Sequence, residues 1–487
     1  MKKQLLFLSL FSIIQINAQE NVFWNRAFWD AKPTIALIDA QIKAGNDIAA
    51  KNANSFDAVV YAILQQTDNS VIKYILSKKG NDVNKITHDG RTYIFWAAYK
   101  GNVDLVKFLI ANGAKTNITD DKGNSIVNFA AGAGQQHTEI YDICIANGAD
   151  LINDRTPNGA NALLLAAQND PDFKLIDYFL SKGIAINSVD NNGNNVFNYM
   201  AKSGSIELLK KLGEMGVKGN DNVYNFATQQ GRGSVPKNIE FFIYLESLNL
   251  HPNVADANGE TPLHNVAAYS TNRDVIDYFI KKGVDINIPD ENGNTALLNA
   301  ASQNKLDMIQ YLIPLVKNIN HANKKGESAL SLAVANNSAE VVAELIRNKA
   351  NVNLIDATGN NMALYLLKSY NKPGFEEKVK HLKSAGFDLT ALQENGNTLF
   401  HLALAYNDAE LVQWVNDLGI DVNAKNKEGI APIHIAAMRA KDEVLLKYLL
   451  AIGANKTLQT NFDESVYDLA LENELLQKNN IDIQFLK

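Results

Sequence analysis

The segment VADANGETPLHNVAAYSTNRDVIDYFIKKGVDIN, residues 254–287, carries the signals that fix its own local structure. Asn258-Gly259 is a turn dipeptide. Thr261-Pro262 has the chemistry of a helix start: threonine offers a capping oxygen, and proline at the first helical position gives up only an N–H that lacks an intrahelical acceptor. Ala267-Ala268 lies on this first helix. A second amphipathic helix carries Val275, Ile276, Phe279 and Ile280 at helical spacing and ends at Gly283, where a left-handed residue closes the last turn.

The same unit recurs along the chain. Its closing asparagine returns at Asn84, Asn117, Asn153, Asn187, Asn220, Asn253, Asn287, Asn320, Asn353 and Asn423, with Thr390 and Thr457 in the remaining places. The steps are 33 or 34 residues, apart from one of 36 and one of 37. Turn glycines keep the same beat at Gly90, Gly123, Gly159, Gly193, Gly259, Gly293, Gly326, Gly359, Gly396 and Gly429. A period near 33 with a turn and two helices is a repeat signature. In its order of hairpin tip, Thr-Pro-Leu-His, two helices and Gly-x-Asp-x-Asn, the unit resembles an ankyrin repeat. The resemblance covers nearly all of the chain after its first residues. It implies an all-α ankyrin-repeat solenoid, with a helix-turn-helix and a hairpin loop in each unit. At about 10 Å per helix layer, twelve or thirteen units make a curved, elongated array roughly 120 Å long.

The first residues read differently. Lys2-Lys3, the apolar run Leu5 to Ile14 and Asn17-Ala18 form the basic, apolar and small-residue regions of a secretory leader, so 1–18 is expected to be a signal peptide. Its style resembles leaders of Bacteroidetes-type Gram-negative bacteria, which places the mature chain, from about Gln19, in the periplasm or, alternatively, outside the cell. The apolar run is too short to span a bilayer, and membrane insertion is not expected. The 487 residues carry a net charge of −7. Loss of Lys2 and Lys3 takes this to about −9, which argues against nucleic acid or an anionic membrane as partner. The one cysteine, Cys144, excludes an internal disulfide and reads as a small apolar core residue.

Taken in order, 19–50 should form an N-terminal capping repeat, with one aromatic helix over Val22–Trp29 packed against its neighbour. Repeats follow over 51–216. Small residues recur on the first helices because stacked helices approach to roughly 8–10 Å. The beat breaks at 217–253: the hairpin is missing, the first helix starts at Asn222, and a compensating excess, including Gly231–Ser234, lies between the helices. Regular repeats resume over 254–457, with Pro314 shortening one second helix, Lys349 at a glycine position and extra residues at 368–375. Residues 458–487 form a C-terminal cap.

His264, His401 and His434 close their Thr-Pro-Leu-His-like tetrads. They lie repeats apart, so they cannot share a metal, and the resemblance gives them a hydrogen-bonding role toward hairpin backbone. The hairpin aspartates Asp89, Asp120, Asp190, Asp256, Asp290 and Asp356 read as turn formers. No nucleophile elbow, phosphate loop or metal motif is present, and no enzyme, metal or cofactor is expected.

The resemblance implies a protein-binding scaffold that uses hairpin tips and exposed first-helix positions on the concave face. Those positions are Arg91, Tyr99, Asn124, Asn128, Glu260, Tyr269, Asn294, Asn299, Glu327, Ser331, Asn397 and Ile430. The alternative is a small-molecule or glycan site at 217–253, which requires a deep pocket beside Tyr224, Phe226, Phe241, Phe242 and Tyr244.

Overall fold

A computed structural model describes residues 21–229 and 236–487. The expectations for 1–18 and for the loop at 231–234 fall outside them. Among the described residues the chain is helical, and extended pairing is limited to isolated bridges such as Val189–Asn195 and Ala322–Ser328. It divides into two compact units, Met1–Val223 and Tyr224–Lys487.

In the second unit, residues 254–287 fold as the helices Pro262–Tyr269 and Arg273–Lys281, closed by Gly283 at φ +90°. First helices stack on first helices: Pro262–Tyr269 packs on Ala296–Gln303, and that on Ala329–Asn336. Ala267, Ala268, Ala300, Ala301 and Ala333 are buried at these contacts, where a larger side chain would hold the layers apart. Val275, Ile276 and Phe279 of the second helix complete the shared core. Pro314 has the expected effect: the α-helix Leu306–Leu312 stops there and finishes as a 3-10 turn, Ile313–Leu315. Lys349 adopts φ +70° without being glycine. The extra residues after the helix Met362–Leu367 are tied down by two lysines: Lys372 Nζ donates to Ala335 O (3.0 Å) and Lys378 Nζ to Val334 O (2.9 Å). Burial, with Lys372 nearby, brings the Lys378 ammonium down to about 8. At the C-terminus, Ile483 and Leu486 fold back and are buried.

The first unit uses the same plan, with Tyr93–Tyr99 packed on Ile126–Gly132 and Val103–Ala111 on Thr138–Ala146. Cys144 is fully buried, and burial pushes its thiol up to about 12, as a core residue requires. One expectation fails at the N-terminal end. Residues 22–29 are not a single helix but a 3-10 turn, Val22–Trp24, and a helix, Arg26–Asp30. Asn25 between them is extended, and its side chain caps the second piece through Ala27 N–H (2.9 Å). Phe23 and Trp29 are still fully buried, in edge-on contact with Phe28.

Outer helices reach back to an acid of the preceding repeat, a tie that periodicity alone does not announce and that in the first unit is a two-residue clasp. Tyr74 and Lys78, four residues apart, both reach Asp39 of the preceding repeat. Tyr178 (2.8 Å) and Lys182 (2.6 Å) reach Asp142. In the second unit Lys282 pairs with Glu246, and Tyr311 bonds Asp277. Helical residues i and i+4 lie one above the other, so in the first unit both side chains converge on one acid.

Candidate functional site

The hairpins and first helices form one face of each unit, and the hairpins are built by side-chain oxygens that accept backbone N–H groups. Asp256 Oδ1 takes Asn258 (2.8 Å) and Glu260 (2.9 Å); Asp290 takes Asn292 and Asn294 (both 2.8 Å). Asn323 and Asn426 do the same in their repeats. Asp89 departs from this: Thr87 occupies the accepting position and bonds Arg91 O (2.5 Å), while Asp89 pairs with Arg91 and Lys122.

Consecutive hairpins are joined by backbone. In the second unit Glu291 N–H donates to Asn258 O, Lys324 to Asn292, Ala357 to Lys325, Glu394 to Gly359 (each 2.8 Å), Lys427 to Asn395 (3.0 Å) and Asn461 to Glu428 (3.4 Å). The approach is so close that a Cβ on Gly326, whose φ is +76°, would collide with the Ala357 nitrogen.

The three tetrad histidines add a second tie. Each Nδ1 accepts its own cap residue's N–H, from Thr261 (3.0 Å), Thr398 (3.1 Å) and Ala431 (2.9 Å). An accepting Nδ1 leaves the proton on Nε2. Each Nε2 then donates to the following repeat, at Asn294 O (3.0 Å), Ile430 O (2.9 Å) and Leu458 O (3.0 Å). Burial pushes all three imidazoles below their ordinary value, which keeps them neutral for this role.

Three of the expected contact residues are not exposed. Arg91 is buried because its guanidinium pairs with Asp120 (2.8 Å) and lies 4.2 Å from the Phe129 ring. Ser331 is buried because it completes a capping box with Ser328. Asn128 is 1% exposed at a tetrad-histidine position; its shorter side chain leaves both amide atoms without a hydrogen-bond partner. Tyr99 (39%) and Tyr269 (43%) are exposed. Asn124, Glu260, Asn294, Asn299, Glu327, Asn397 and Ile430 are half-buried. Burial, reinforced by Asp256 and Asp290, raises the Glu260 carboxyl. Several of these polar groups are spent inside the face, Asn299 on His264 O (3.2 Å) and Asn294 on Asp290 (3.0 Å).

Asn397 and Ile430 meet residues that sequence reasoning missed. A groove of about 560 Å³ in the second unit is lined by these two together with His401, Leu402, Tyr406, Glu428, Ile435, Met438 and Arg439, among others. Tyr406 and Met438 lie eight and seven residues after their caps, Thr398 and Ala431, in the register that Tyr269 and Tyr99 occupy after Thr261 and Thr92. Counting from the cap would have found them.

The alternative site fares differently. Tyr224, Phe226, Phe241 and Phe242 are buried, with Phe242 packed on Tyr224, Tyr278 and Phe279 at 5.0–6.4 Å. The described residues there, including Thr228, Pro236 and Phe242, enclose about 10 Å³, room for one water. Among the described residues these four aromatics belong to the core, while Tyr244 is half-buried.

Comparison with known proteins agrees with the repeat geometry. The family model for ankyrin repeats (3 copies) matches residues 33–120 and, in overlapping stretches, 233–460. The chain is 30% identical over 122 residues to the E3 ubiquitin-protein ligase KEG of Arabidopsis thaliana (25% of this chain, 7% of that protein). It is 25% identical over 230 residues to the phosphocholine transferase AnkX of Legionella pneumophila (47% and 22%). It thus spans less than a quarter of either relative. Among solved structures, the human ASB11 ankyrin repeat domain aligns at 22% identity and a TM-score of 0.38, covering 45% of this chain and 97% of that one. Among the described residues no helix is long and apolar enough to cross a membrane. With its repeats matched by the family model over most of its length and seen as hairpin-linked helix pairs, the chain belongs to the ankyrin-repeat family.

Proposed function

We propose that this protein is an exported, non-catalytic scaffold of the bacterial envelope, most simply of the periplasm, that binds a partner protein through its hairpin-and-first-helix face. Ankyrin repeats generally mediate protein–protein interaction. The observation that carries the reading is the groove on that face of the second unit, rimmed by exposed Tyr406 and Met438 and held by hydrogen-bonded hairpins. A face already ordered loses little conformational freedom on binding. The match covers only 7% and 22% of the two relatives named as enzymes, so their chemistry is not carried over. The basic and apolar composition of 1–18 supports export.

The test is affinity capture from an envelope extract by the wild type and by a Tyr99→Ala/Tyr269→Ala/Met438→Glu variant. A protein retained by the first and lost by the second is the expected result; no specific protein under any condition overturns the scaffold reading. Cell fractionation with N-terminal mass spectrometry tests the location. A mature terminus near Gln19 is expected, and a cytoplasmic chain retaining Met1 contradicts it.

A further inference from the structure

We propose that the groove between the repeats at 391–423 and 424–457 takes an extended polypeptide segment in which a bulky apolar side chain lies next to lysine or arginine. This rests on the binding reading above and adds where the partner is anchored and by what chemistry. The floor is apolar: Leu402 and Ile435, half-buried, face the groove from successive first helices. Tyr406 (43% exposed) and Met438 (39%) form the helix-side rim. A methionine rim adapts to the shape of an entering side chain. The volume of about 560 Å³ suits one or two large side chains rather than a folded surface.

Charge selects the flanking residues. The opposite rim is made of hairpin tips, where Glu428 lines the groove and is exposed. On the tips either side, Glu394 and Asp463 are exposed, against Lys427 and, just before that tip, Lys425, whose Nζ donates to Gln459 O (2.6 Å); Arg439 lines the groove from the helix side, away from these carboxylates. The hairpin side therefore presents an excess of carboxylate to whatever lies along it, in a chain that is itself net acidic. A cationic side chain there gains attraction focused along a low-dielectric groove. The tip of the last hairpin carries Phe462, 80% exposed, a ring on which a guanidinium or ammonium can stack.

The test is selection of a random twelve-residue phage-displayed peptide library on the full chain, followed by fluorescence anisotropy with the synthetic consensus peptide. The expected consensus has Leu, Ile, Phe or Met within two positions of Lys or Arg. Met438→Glu and Glu428→Arg each weaken it by roughly tenfold or more, and a peptide with its basic residue changed to Glu regains affinity for Glu428→Arg. Both positions are exposed, and unchanged thermal melts show that the variants fold. An acidic or wholly polar consensus, or binding indifferent to both substitutions, overturns the proposal. So does failure of every peptide alongside binding to a glycan array that is lost in Met438→Glu. A partner captured through Tyr99 and Tyr269 but insensitive to Met438→Glu keeps the general reading and removes this one.

Discussion

The two units solve the same stacking problem with different continuity. In the second, every hairpin from 256–260 to 460–464 is hydrogen-bonded to the next through backbone. In the first, Asp121 donates to Asp89 O and Asn191 to Asn158 O (both 2.9 Å), but the donor position between them is Pro157, which has no N–H. The second unit also has three histidine ties, whereas the first has Phe95, Asn128, Leu164 and Asn198 at the same register. One period is therefore compatible with two degrees of cross-linking. The groove lies in the fully linked unit, where its rim is held in place before a partner arrives.

The largest effect that would break this comparison comes from Gly326→Val. The branched side chain needs both a disfavoured positive φ and the space of the Ala357 nitrogen. Urea unfolding should show a loss of roughly 2–4 kcal/mol, felt in the second unit. Acidification should also separate the units. A histidine whose pKa is depressed in the folded state binds fewer protons there than when unfolded, so its contribution is complete above 6.5 and declines as pH falls below that value toward the folded pKa. The second unit should lose stability as pH falls from about 7.5 to 5 in equilibrium unfolding. His401→Leu or His434→Leu should flatten that dependence.

Two smaller changes would bring the first unit closer to the second. Asn128→His gives a side chain long enough to reach Ala160 O, the counterpart of Asn294 O, and removes an unpaired buried amide. It should raise stability by about 1 kcal/mol in thermal unfolding. Pro157→Ala restores the missing donor, worth about 1 kcal/mol, but frees the unfolded chain by a comparable ~0.4–1 kcal/mol. Stability should barely move, while amide exchange at 157 reveals the new bond.

The repeat, its helix pairs and the packing role of Cys144 were legible because they depend on local chemistry repeated at a fixed spacing. The family model leaves 121–232 unmatched, yet the helices Ile126–Gly132, Ala162–Ala166 and Val196–Met200 are there. In this region Ser125-Ile126-Val127-Asn128 and Asn195-Val196-Phe197-Asn198 keep the cap and core positions but replace the Pro-Leu-His signature. The single helix expected at 22–29 failed because Asn25 prefers to cap rather than continue, and asparagine serves in either place. Arg91 and Ser331 stand at the hairpin and first-helix positions that the resemblance makes contact positions; only a three-dimensional partner, Asp120 or Ser328, shows that their hydrogen-bonding capacity is spent inward. Of the groove, Asn397 and Ile430 were expected and Tyr406 and Met438 follow from counting, but the cavity itself arises only when two repeats stack.

Hydrogen–deuterium exchange on the free, full-length chain tests the central contrast most directly. The account predicts strong protection at the joint amides of Glu291, Lys324, Ala357, Glu394 and Lys427, and much faster exchange through 154–160 around Pro157. Equal protection of the hairpins in both units, or faster exchange in the second, would contradict it.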